Sequence, residues 1–176
     1  MSPALKTAFP PILGEHPRVL ILGSMPGEAS LRLGQYYGHA RNAFWPILCE
    51  LLGLPPDSAY SARTAALAAA GIALWDVIAA CERPGSLDAS IRPESVRVND
   101  FGALLDACPG IGLIAFNGGT AEREYRRRVL PGLADRHRGI ERLRLPSTSP
   151  AHAGMSYADK LARWRAILDH LTTNAR

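Results

Sequence analysis

The ten residues RVLILGSMPG, at positions 18–27, decide the fold of this chain. Residues 18–23 form a short run of β-branched and other apolar side chains that ends at glycine, a pattern typical of a buried parallel strand. Similar runs predict three more strands at residues 72–78, 111–116 and 140–145. In the fourth run arginines alternate with apolar residues, which predicts a strand nearer the edge of the sheet.

Helical patterns lie between these strands. Ser61, Asn99 and Ser156 each precede such a segment and can act as its N-cap. The predicted helices cover residues 42–52, 61–71, 99–110, 120–129 and 156–171. Residues 81–95 are polar and rich in turn-forming residues, so they predict a loop. Strands that alternate with helices imply right-handed βαβ crossovers and an α/β fold whose parallel sheet is covered on both faces.

The composition limits the class of protein. With 176 residues, 47% of them hydrophobic, the chain is long enough for a single domain over residues 1–176 with its own core. No apolar run reaches the ~20 residues of a membrane span, and residues 1–11 lack the features of a signal peptide. We therefore expect an intracellular protein. Cys49, Cys81 and Cys108 are far apart, so we expect buried free thiols and no metal site.

The charge is mildly basic and unevenly distributed. The formal net charge is +4 and the isoelectric point is about 9.2. Arginines and a histidine cluster at residues 123–128 and 136–144. This pattern fits a polyanionic partner, but a solvated helix face with its flanking loop explains it equally well.

Two loops stand out by composition. Residues 23–27 follow the first strand and residues 146–154 follow the fourth, and both are rich in glycine, serine and proline. Backbone N–H groups in such loops can bind an anion. The first loop lacks the lysine and the spacing of a P-loop and lacks GxGxxG. Because ligands of parallel sheets bind at the carboxyl ends of the strands, we expect the site between these loops.

The motifs, in their order along the chain, resemble the uracil-DNA glycosylase superfamily and, within it, the DNA-deoxyinosine (hypoxanthine-DNA) glycosylase family. The motifs that carry the resemblance are LILGSMPG at 20–27, QYYGHARNAFW at 35–45, ALWDVI at 73–78, FNG at 116–118 and LPSTSPAHA at 145–153. The resemblance implies a three-layer α/β/α sandwich with a four-stranded parallel sheet. It also implies a monofunctional DNA glycosylase that needs no metal, no cofactor and no lyase lysine.

The resemblance points to one catalytic residue. Many relatives carry a catalytic Asn or Asp at the third position of the turn after the first strand, where this chain has Met25, which cannot orient water. In the deoxyinosine branch the working amide lies in the RNAFW segment, and that position is Asn42 here. A neutral amide can hold a water through its oxygen or donate from its nitrogen. Asn42 also precedes an apolar helix and could cap it.

Five residues form the predicted base-binding set: Gly23, Ser24, Met25, Tyr37 and Asn117. The first three offer backbone N–H groups to the leaving base. Tyr37 is expected to stack on the flipped base, with Tyr36 as the alternative, although Tyr37 could simply be packed. Asn117 could read the base edge or serve as a turn residue in an Asn-Gly-Gly corner.

The other polar residues near these motifs have plainer expected roles. His39 could contact phosphate or base, but a structural role in its loop is the favoured interpretation. Trp75 is expected in the core or in the pocket wall. Asp76 is acidic in a DNA-facing site, so we expect it to hold loop backbone rather than to contact phosphate.

The loop after the fourth strand is the predicted grip on DNA. Its candidate residues are Ser147, Ser149, Pro150, His152 and Gly154. Hydroxyls can bind the phosphates on either side of the flipped nucleotide, and Gly154 permits close approach. His152 stands where the relatives usually carry Asn or another small polar residue. This leaves phosphate contact, a wedge into the gap and a plain surface histidine as alternatives.

The sequence therefore predicts a base-excision repair glycosylase that hydrolyses the N-glycosidic bond of a flipped deaminated base, with hypoxanthine first. Its partner is DNA, double- or single-stranded; no membrane is involved, and one subunit is expected to suffice. We expect it in the cytoplasm, associated with the nucleoid. The alternatives are a uracil or mismatch-specific uracil/thymine glycosylase, a non-catalytic damage-binding module, and a nucleotide- or small-anion-binding protein.

Overall fold

The computed structural model describes residues 4–172. Four strands form a parallel sheet in the order β3-β2-β6-β7, and three form a small antiparallel sheet in the order β1-β4-β5. The strands are β1 (Leu5–Thr7), β2 (Val19–Gly23), β3 (Ile72–Asp76), β4 (Ile78–Glu82), β5 (Arg97–Val98), β6 (Leu113–Asn117) and β7 (Glu141–Leu145). The predicted four-stranded parallel sheet is thus confirmed.

Short helices connect the strands. They are α1 (Glu28–Leu33), α2 (Phe44–Leu52), α3 (Tyr60–Ala69), α4 (Phe101–Ala107), α5 (Gly119–Glu124), α6 (Asp135–Arg138), α7 (Tyr157–Trp164) and α8 (Ile167–Thr172). Helix α5 continues into one π-helical turn over Tyr125–Val129. Within residues 4–172, no helix is both long and apolar enough to cross a bilayer.

Strand β2 lies at the centre of the sheet and is buried along its whole length. Successive side chains of a strand point to opposite faces, so β2 contributes to two cores. Leu20 and Leu22 pack with residues of α4 and α5, and Val19 and Ile21 pack with residues of α2, α7 and α8. The sheet therefore has helices on both faces, and the three-layer sandwich is confirmed. Strand β7 lies at the edge, as its alternating pattern predicts.

The second predicted strand, residues 72–78, has the wrong C-terminal boundary. The strand stops at Asp76, and the chain turns into β4, which belongs to the other sheet. Val77 and Ile78 donate their backbone N–H groups to the carbonyls of Gly23 and Ser24. The apolar run continues through the break because Ile78 packs with Met25 and Cys81 in a third cluster. An unbroken apolar run cannot reveal such a change of sheet.

The small sheet itself was missed. Strand β4 extends into residues 81–95, which the composition predicts as a loop, and its partners β1 and β5 are only three and two residues long. Such short strands carry too few residues for an alternating pattern to be recognised. Helix α1 was missed for the same reason, since it has only six residues.

The three predicted N-caps have different outcomes. Ser156 accepts a hydrogen bond from the Asp159 N–H at 3.1 Å and caps α7, as expected. Helix α3 begins one residue before Ser61, after Ala59, so Ser61 is not its cap. Helix α4 is capped by Asp100, and the neighbouring Asn99 side chain donates to the Asp76 carbonyl instead. The final helix is also divided in two, into α7 and α8.

The two serines provide a matched test of the capping assignment. Ser156→Ala removes the cap of α7 and is expected to lower the free energy of unfolding by about 1 kcal/mol. Ser61→Ala removes an exposed hydroxyl inside α3 and is expected to change it by no more than about 0.5 kcal/mol. Urea unfolding of both variants checks this. Equal losses would mean that Ser61 contributes to the start of α3 after all.

Candidate active site

A cavity of about 780 Å³ opens at the carboxyl ends of the parallel strands. Both loops singled out by composition border it, because they follow β2 and β7. The residues that line it are 23–30, 86–88, 117–120 and 147–152, together with Tyr36, Tyr37, His39, Asn42, Asp76, Arg123 and Arg144. The expected position of the site, between the two loops, is therefore where this cavity is found.

Nearly all predicted site residues border this cavity. Those that line it are Asn42, Gly23, Ser24, Met25, Tyr37, Asn117, Ser147, Ser149, Pro150 and His152. Gly154 does not line it; this residue is exposed, and a Cβ built on it would meet no atom within 4 Å. Gly154 is therefore not forced to be glycine by close packing within residues 4–172.

Asn42 is held at the cavity by its own loop. Its Oδ1 accepts a hydrogen bond from the Phe44 N–H at 2.9 Å, and its backbone N–H donates to the His39 carbonyl. The residue that flanks α2 is Ala43, so Asn42 lies one position before the N-cap while still binding the first helical N–H. Asn42 also lines the cavity. The capping and the cavity-facing interpretations are thus geometrically compatible.

The turn after β2 is fixed through its carbonyl groups. The Gly23 and Ser24 carbonyls accept from the N–H groups of Val77 and Ile78, and the next two carbonyls, of Met25 and Pro26, accept from the guanidinium of Arg83. The Met25 side chain packs in the third apolar cluster. Met25 therefore contributes backbone to the cavity, while its side chain belongs to the core.

Arg83 was missed in the sequence. Its side chain is fully buried, and its Nε also donates to the Gly85 carbonyl at 3.1 Å. A buried guanidinium must have its donors satisfied, and here backbone carbonyls do so. Arg83 lies in the segment predicted as a loop, and no local pattern distinguishes it from a surface arginine.

Tyr37 adopts a strained backbone conformation, with φ of 53°. Non-glycine residues rarely adopt positive φ, and such strain concentrates at functional sites. One face of its ring stacks on Phe44, with centroids 4.0 Å apart. Tyr36 is part of the core. It is buried, its hydroxyl donates to the Pro10 carbonyl, and its ring packs edge-on against Phe9.

Asn117 joins the two sides of the cavity. Its Nδ2 donates to Thr148 Oγ1, and its Oδ1 accepts from the Thr148 N–H, both at 2.9 Å. The Thr148 carbonyl in turn accepts from the Ala43 N–H, next to Asn42. The end of β6, the loop after β7 and the start of α2 are therefore linked through Thr148, a contact that the sequence did not indicate.

Serine hydroxyls shape the loop after β7. Ser147 Oγ accepts from the Ser149 N–H, and Ser149 Oγ accepts from the Ala151 N–H, both at 3.2 Å. Lys160 reaches from α7 to the His152 carbonyl at 2.8 Å. His152 is exposed on the cavity rim.

His39 binds its own loop, since its Nδ1 accepts from the Arg41 N–H at 3.1 Å, which favours the structural role expected of it.

Three acidic residues line the cavity, namely Glu28, Asp76 and Asp88, and Glu28 is paired with Lys6 at 3.3 Å. Asp88, which was missed, accepts from the Ser24 hydroxyl at 2.8 Å. Asp76, at the end of β3, is 3% exposed. The expectation that its carboxylate holds loop backbone is wrong, because Oδ2 has no hydrogen-bond partner among the described residues; the main-chain carbonyl of Asp76 accepts from the Asn99 side chain. Burial, together with the negative charge of Asp88, raises the pKa of Asp76 to about 7 although Arg83 acts in the opposite direction.

Arginines border one side of the cavity. Arg123 and Arg144 line it and also line a shallow groove of about 440 Å³ that continues over Arg126 and Arg127. Glu122 pairs with Arg126 at 2.9 Å and approaches Arg144 at 4.0 Å. We call these four arginines the arginine rim. In residues 4–172, no three His, Cys, Asp or Glu side chains are grouped so that they could hold a metal ion.

One known protein resembles this chain over nearly its full length, and another over about two thirds of it. A protein from Methanosarcina acetivorans named hypoxanthine DNA glycosylase is 38% identical over 167 residues, which is 94% of this chain and 99% of that protein. Another of the same name from Methanosarcina barkeri is 43% identical over 114 residues, 64% of this chain and 71% of that protein.

A solved structure and a family model agree with these relatives. The NMR structure of a candidate uracil DNA glycosylase from Methanosarcina acetivorans superposes with a TM-score of 0.79 at 38% identity, and covers 96% of this chain and 99% of its own. The family model of the uracil DNA glycosylase superfamily matches residues 10–172. This chain therefore belongs to the uracil DNA glycosylase superfamily.

Proposed function

We propose that this protein is a monofunctional DNA glycosylase that excises a flipped, deaminated base, with hypoxanthine as its main substrate. The observation that carries the proposal is the position of the Asn42 amide, which borders the same cavity as the turn after β2. Family membership supports the reaction class, and the two relatives named hypoxanthine DNA glycosylase support the choice of base. The cavity is large enough for a nucleobase with its sugar.

The chemistry needs only a positioned water and a place for negative charge. As the glycosidic bond breaks, the sugar acquires oxocarbenium character and the departing base becomes negative. Fixed hydrogen-bond donors aimed at that charge stabilise the transition state without reorganising. In this proposal the Asn42 amide positions the water at C1′, and the N–H groups of the turn after β2 face the base. Arg83 keeps that turn rigid by binding its carbonyls.

The remaining cavity residues receive the base and the DNA strand. In this proposal Tyr37 lies beside the flipped base, and Asn117 contacts the edge of the base. The DNA strand passes along Ser147, Ser149 and Pro150. His152 on the rim fills the gap left by the flipped nucleotide or contacts a phosphate. Gly154 lies further along the same loop and contributes to the grip on DNA from outside the cavity.

Uracil and mismatched thymine are the second candidate substrates. They share with hypoxanthine an exocyclic oxygen beside a ring N–H, so one cavity can hold either kind. The position that carries a catalytic Asn or Asp in many relatives is Met25, whose side chain packs into the core. This favours hypoxanthine over uracil, and the presence of the Asn42 amide favours catalysis over mere damage binding.

The proposal needs only one subunit, because a single chain supplies every segment that lines the cavity. We therefore propose that the enzyme works as a monomer. Its substrate is chromosomal DNA, which places it in the cytoplasm at the nucleoid.

Excision is tested directly on oligonucleotides that carry hypoxanthine, uracil, xanthine or a thymine mismatch. We expect alkali-sensitive sites at hypoxanthine first, at the same rate with and without EDTA. The readout is strand cleavage after alkali treatment, and undamaged DNA is the control. Preferential excision of uracil would make uracil, rather than hypoxanthine, the main substrate. Loss of activity with EDTA would contradict a mechanism that needs no metal.

The role of Asn42 is tested by two substitutions that differ in capping ability. Asn42→Ala and Asn42→Ser both remove the amide, so we expect each to lower the excision rate by about 10²-fold or more. Serine can still accept from the Phe44 N–H, so only the alanine variant should lose about 1 kcal/mol of stability. Single-turnover rates and thermal melting are compared. An active serine variant would show that Asn42 is only a capping residue.

The arginine rim is tested through the salt dependence of DNA binding. Each phosphate contact contributes close to one unit to the slope of log K against log salt concentration. We expect Arg144→Gln and Arg123→Gln each to reduce that slope by about 1 and to weaken binding equally for all sequences. Arg165→Gln, an exposed change away from both cavities, is the control. An unchanged slope in all variants would show that the arginine rim does not contact the phosphates of the DNA.

A further inference from the structure

The carboxyl group of Asp76 is the one strongly buried acid that borders the cavity in residues 4–172. It is 3% exposed, and its Oδ2 has no hydrogen-bond partner within the described chain. A buried oxygen without a partner is costly, so its presence in a folded protein calls for an explanation such as a bound ligand. The residue lies at the carboxyl end of β3, where parallel sheets bind their ligands.

A second polar group without a partner accompanies it. The Tyr37 hydroxyl is buried and has no partner at full hydrogen-bond geometry among the described residues, although the Asn117 amide is close enough to oppose the rise of its pKa. Asp76 Oδ1 and the Tyr37 hydroxyl lie 2.5 and 2.7 Å from the point where a Cβ of Gly23 would be. Both groups therefore lie close to Gly23, the last residue of β2. The turn that is proposed to face the flipped nucleobase starts at this residue.

The charged and titratable groups around Asp76 come from three segments. Asp88 lies in the 3₁₀ turn after β4, Arg83 at the end of β4, and Tyr36 with Tyr37 in the loop before α2. Desolvation is the largest effect on Asp76, the Asp88 carboxylate adds to it, and the Arg83 guanidinium opposes it. The balance favours the neutral acid, with a pKa of about 7 against an ordinary value of 3.8.

We propose that Asp76 acts as a neutral acid whose O–H donates a hydrogen bond to the exocyclic oxygen of the flipped base. The inference rests on the proposed function and adds to it the group that recognises deamination. Deamination replaces an amino donor by an oxygen acceptor, and a carboxyl O–H can donate to that oxygen, whereas an amino group offers it no acceptor at the same place. A carboxylic acid kept neutral in an apolar site is an effective donor of this kind.

The neutral form also fits the chemistry of the departing base. Negative charge grows on the base as the bond to C1′ breaks, and the O–H hydrogen bond strengthens with that charge. An ionised carboxylate in the same place would repel the base. The excision rate must therefore fall as pH rises through the pKa of Asp76, because the acid loses its proton above that pH.

The test is a pH profile of single-turnover excision of hypoxanthine between pH 5.5 and 9. We expect the wild-type rate to fall more than about tenfold between pH 6.5 and 8.5. Asp76→Asn carries a permanent amide donor, so it should keep a rate within a few-fold of the wild type at pH 6.5 and lose the decline. Asp76→Ala, which has no donor, should be slow at every pH. Asp57→Asn, the same change at an exposed loop residue, should match the wild type.

A further variant tests the electrostatics. Asp88→Asn removes the negative charge that raises the pKa of Asp76, so the pH at which the rate falls should move downward. A merely structural role for Asp76 would change melting temperature without moving this midpoint. Asp76→Asn should also melt higher than the wild type at pH 8.5, since it removes a buried charge, and this control shows that the variant is folded.

The failure of this inference is distinguishable from failure of the proposed function. If the wild type excises hypoxanthine but Asp76→Asn keeps the same alkaline decline, the inference is overturned and the function stands. If the wild type excises nothing, binding of DNA that carries a non-hydrolysable 2′-fluorinated deoxyinosine decides. Affinity that falls above pH 7 in the wild type but not in Asp76→Asn supports the inference, and identical pH profiles overturn it.

Discussion

The close approach of Asp76 and Tyr37 to Gly23 is the constraint on which the site depends. A Cβ at position 23 would lie 2.5 Å from the Asp76 carboxylate and 2.7 Å from the Tyr37 hydroxyl. The ends of β2 and β3 are paired in register at this point, so neither strand can shift to make room. Glycine here allows three segments to converge at the carboxyl edge of the sheet. That convergence brings the turn after β2, the loop before α2 and the end of β3 into one cavity.

The loops around this point are held by hydrogen bonds to their backbone groups in addition to the packing of Met25 and Tyr37. Arg83 and the N–H groups of Val77 and Ile78 bind the four carbonyls of residues 23–26. On the opposite side, Thr148 is bound by Asn117 and receives the N–H next to Asn42. A site whose donors are fixed before the substrate arrives loses little free energy in reorganisation at the transition state. The small antiparallel sheet therefore serves the site, because it carries the segment from which Arg83 reaches the turn.

The sequence predicts what local patterns encode and misses what depends on distant contacts. The parallel strands and both site loops were found because buried strands leave continuous apolar runs and turns leave Gly, Ser and Pro. The family resemblance added Asn42, which no composition would distinguish from a cap. The break at Val77, the buried Arg83 and the link through Thr148 were not found, since each depends on partners far along the chain. The role expected of the Asp76 carboxylate is wrong because the sequence does not show that a polar residue at this strand end is buried.

The distribution of charge across the site connects the proposed grip on DNA with the proposed role of Asp76. The arginine rim is exposed and attracts phosphates, while Asp76 and Asp88 lie inside the cavity that the rim borders. A phosphate bound at the rim would add negative charge near both acids and exclude water from the cavity. Each effect disfavours the ionised form of Asp76 and so raises its pKa further. Binding of the DNA strand would thus favour the protonated state of Asp76 that the departing base requires. The arginine rim and the two acids, Asp76 and Asp88, would therefore act in the same direction.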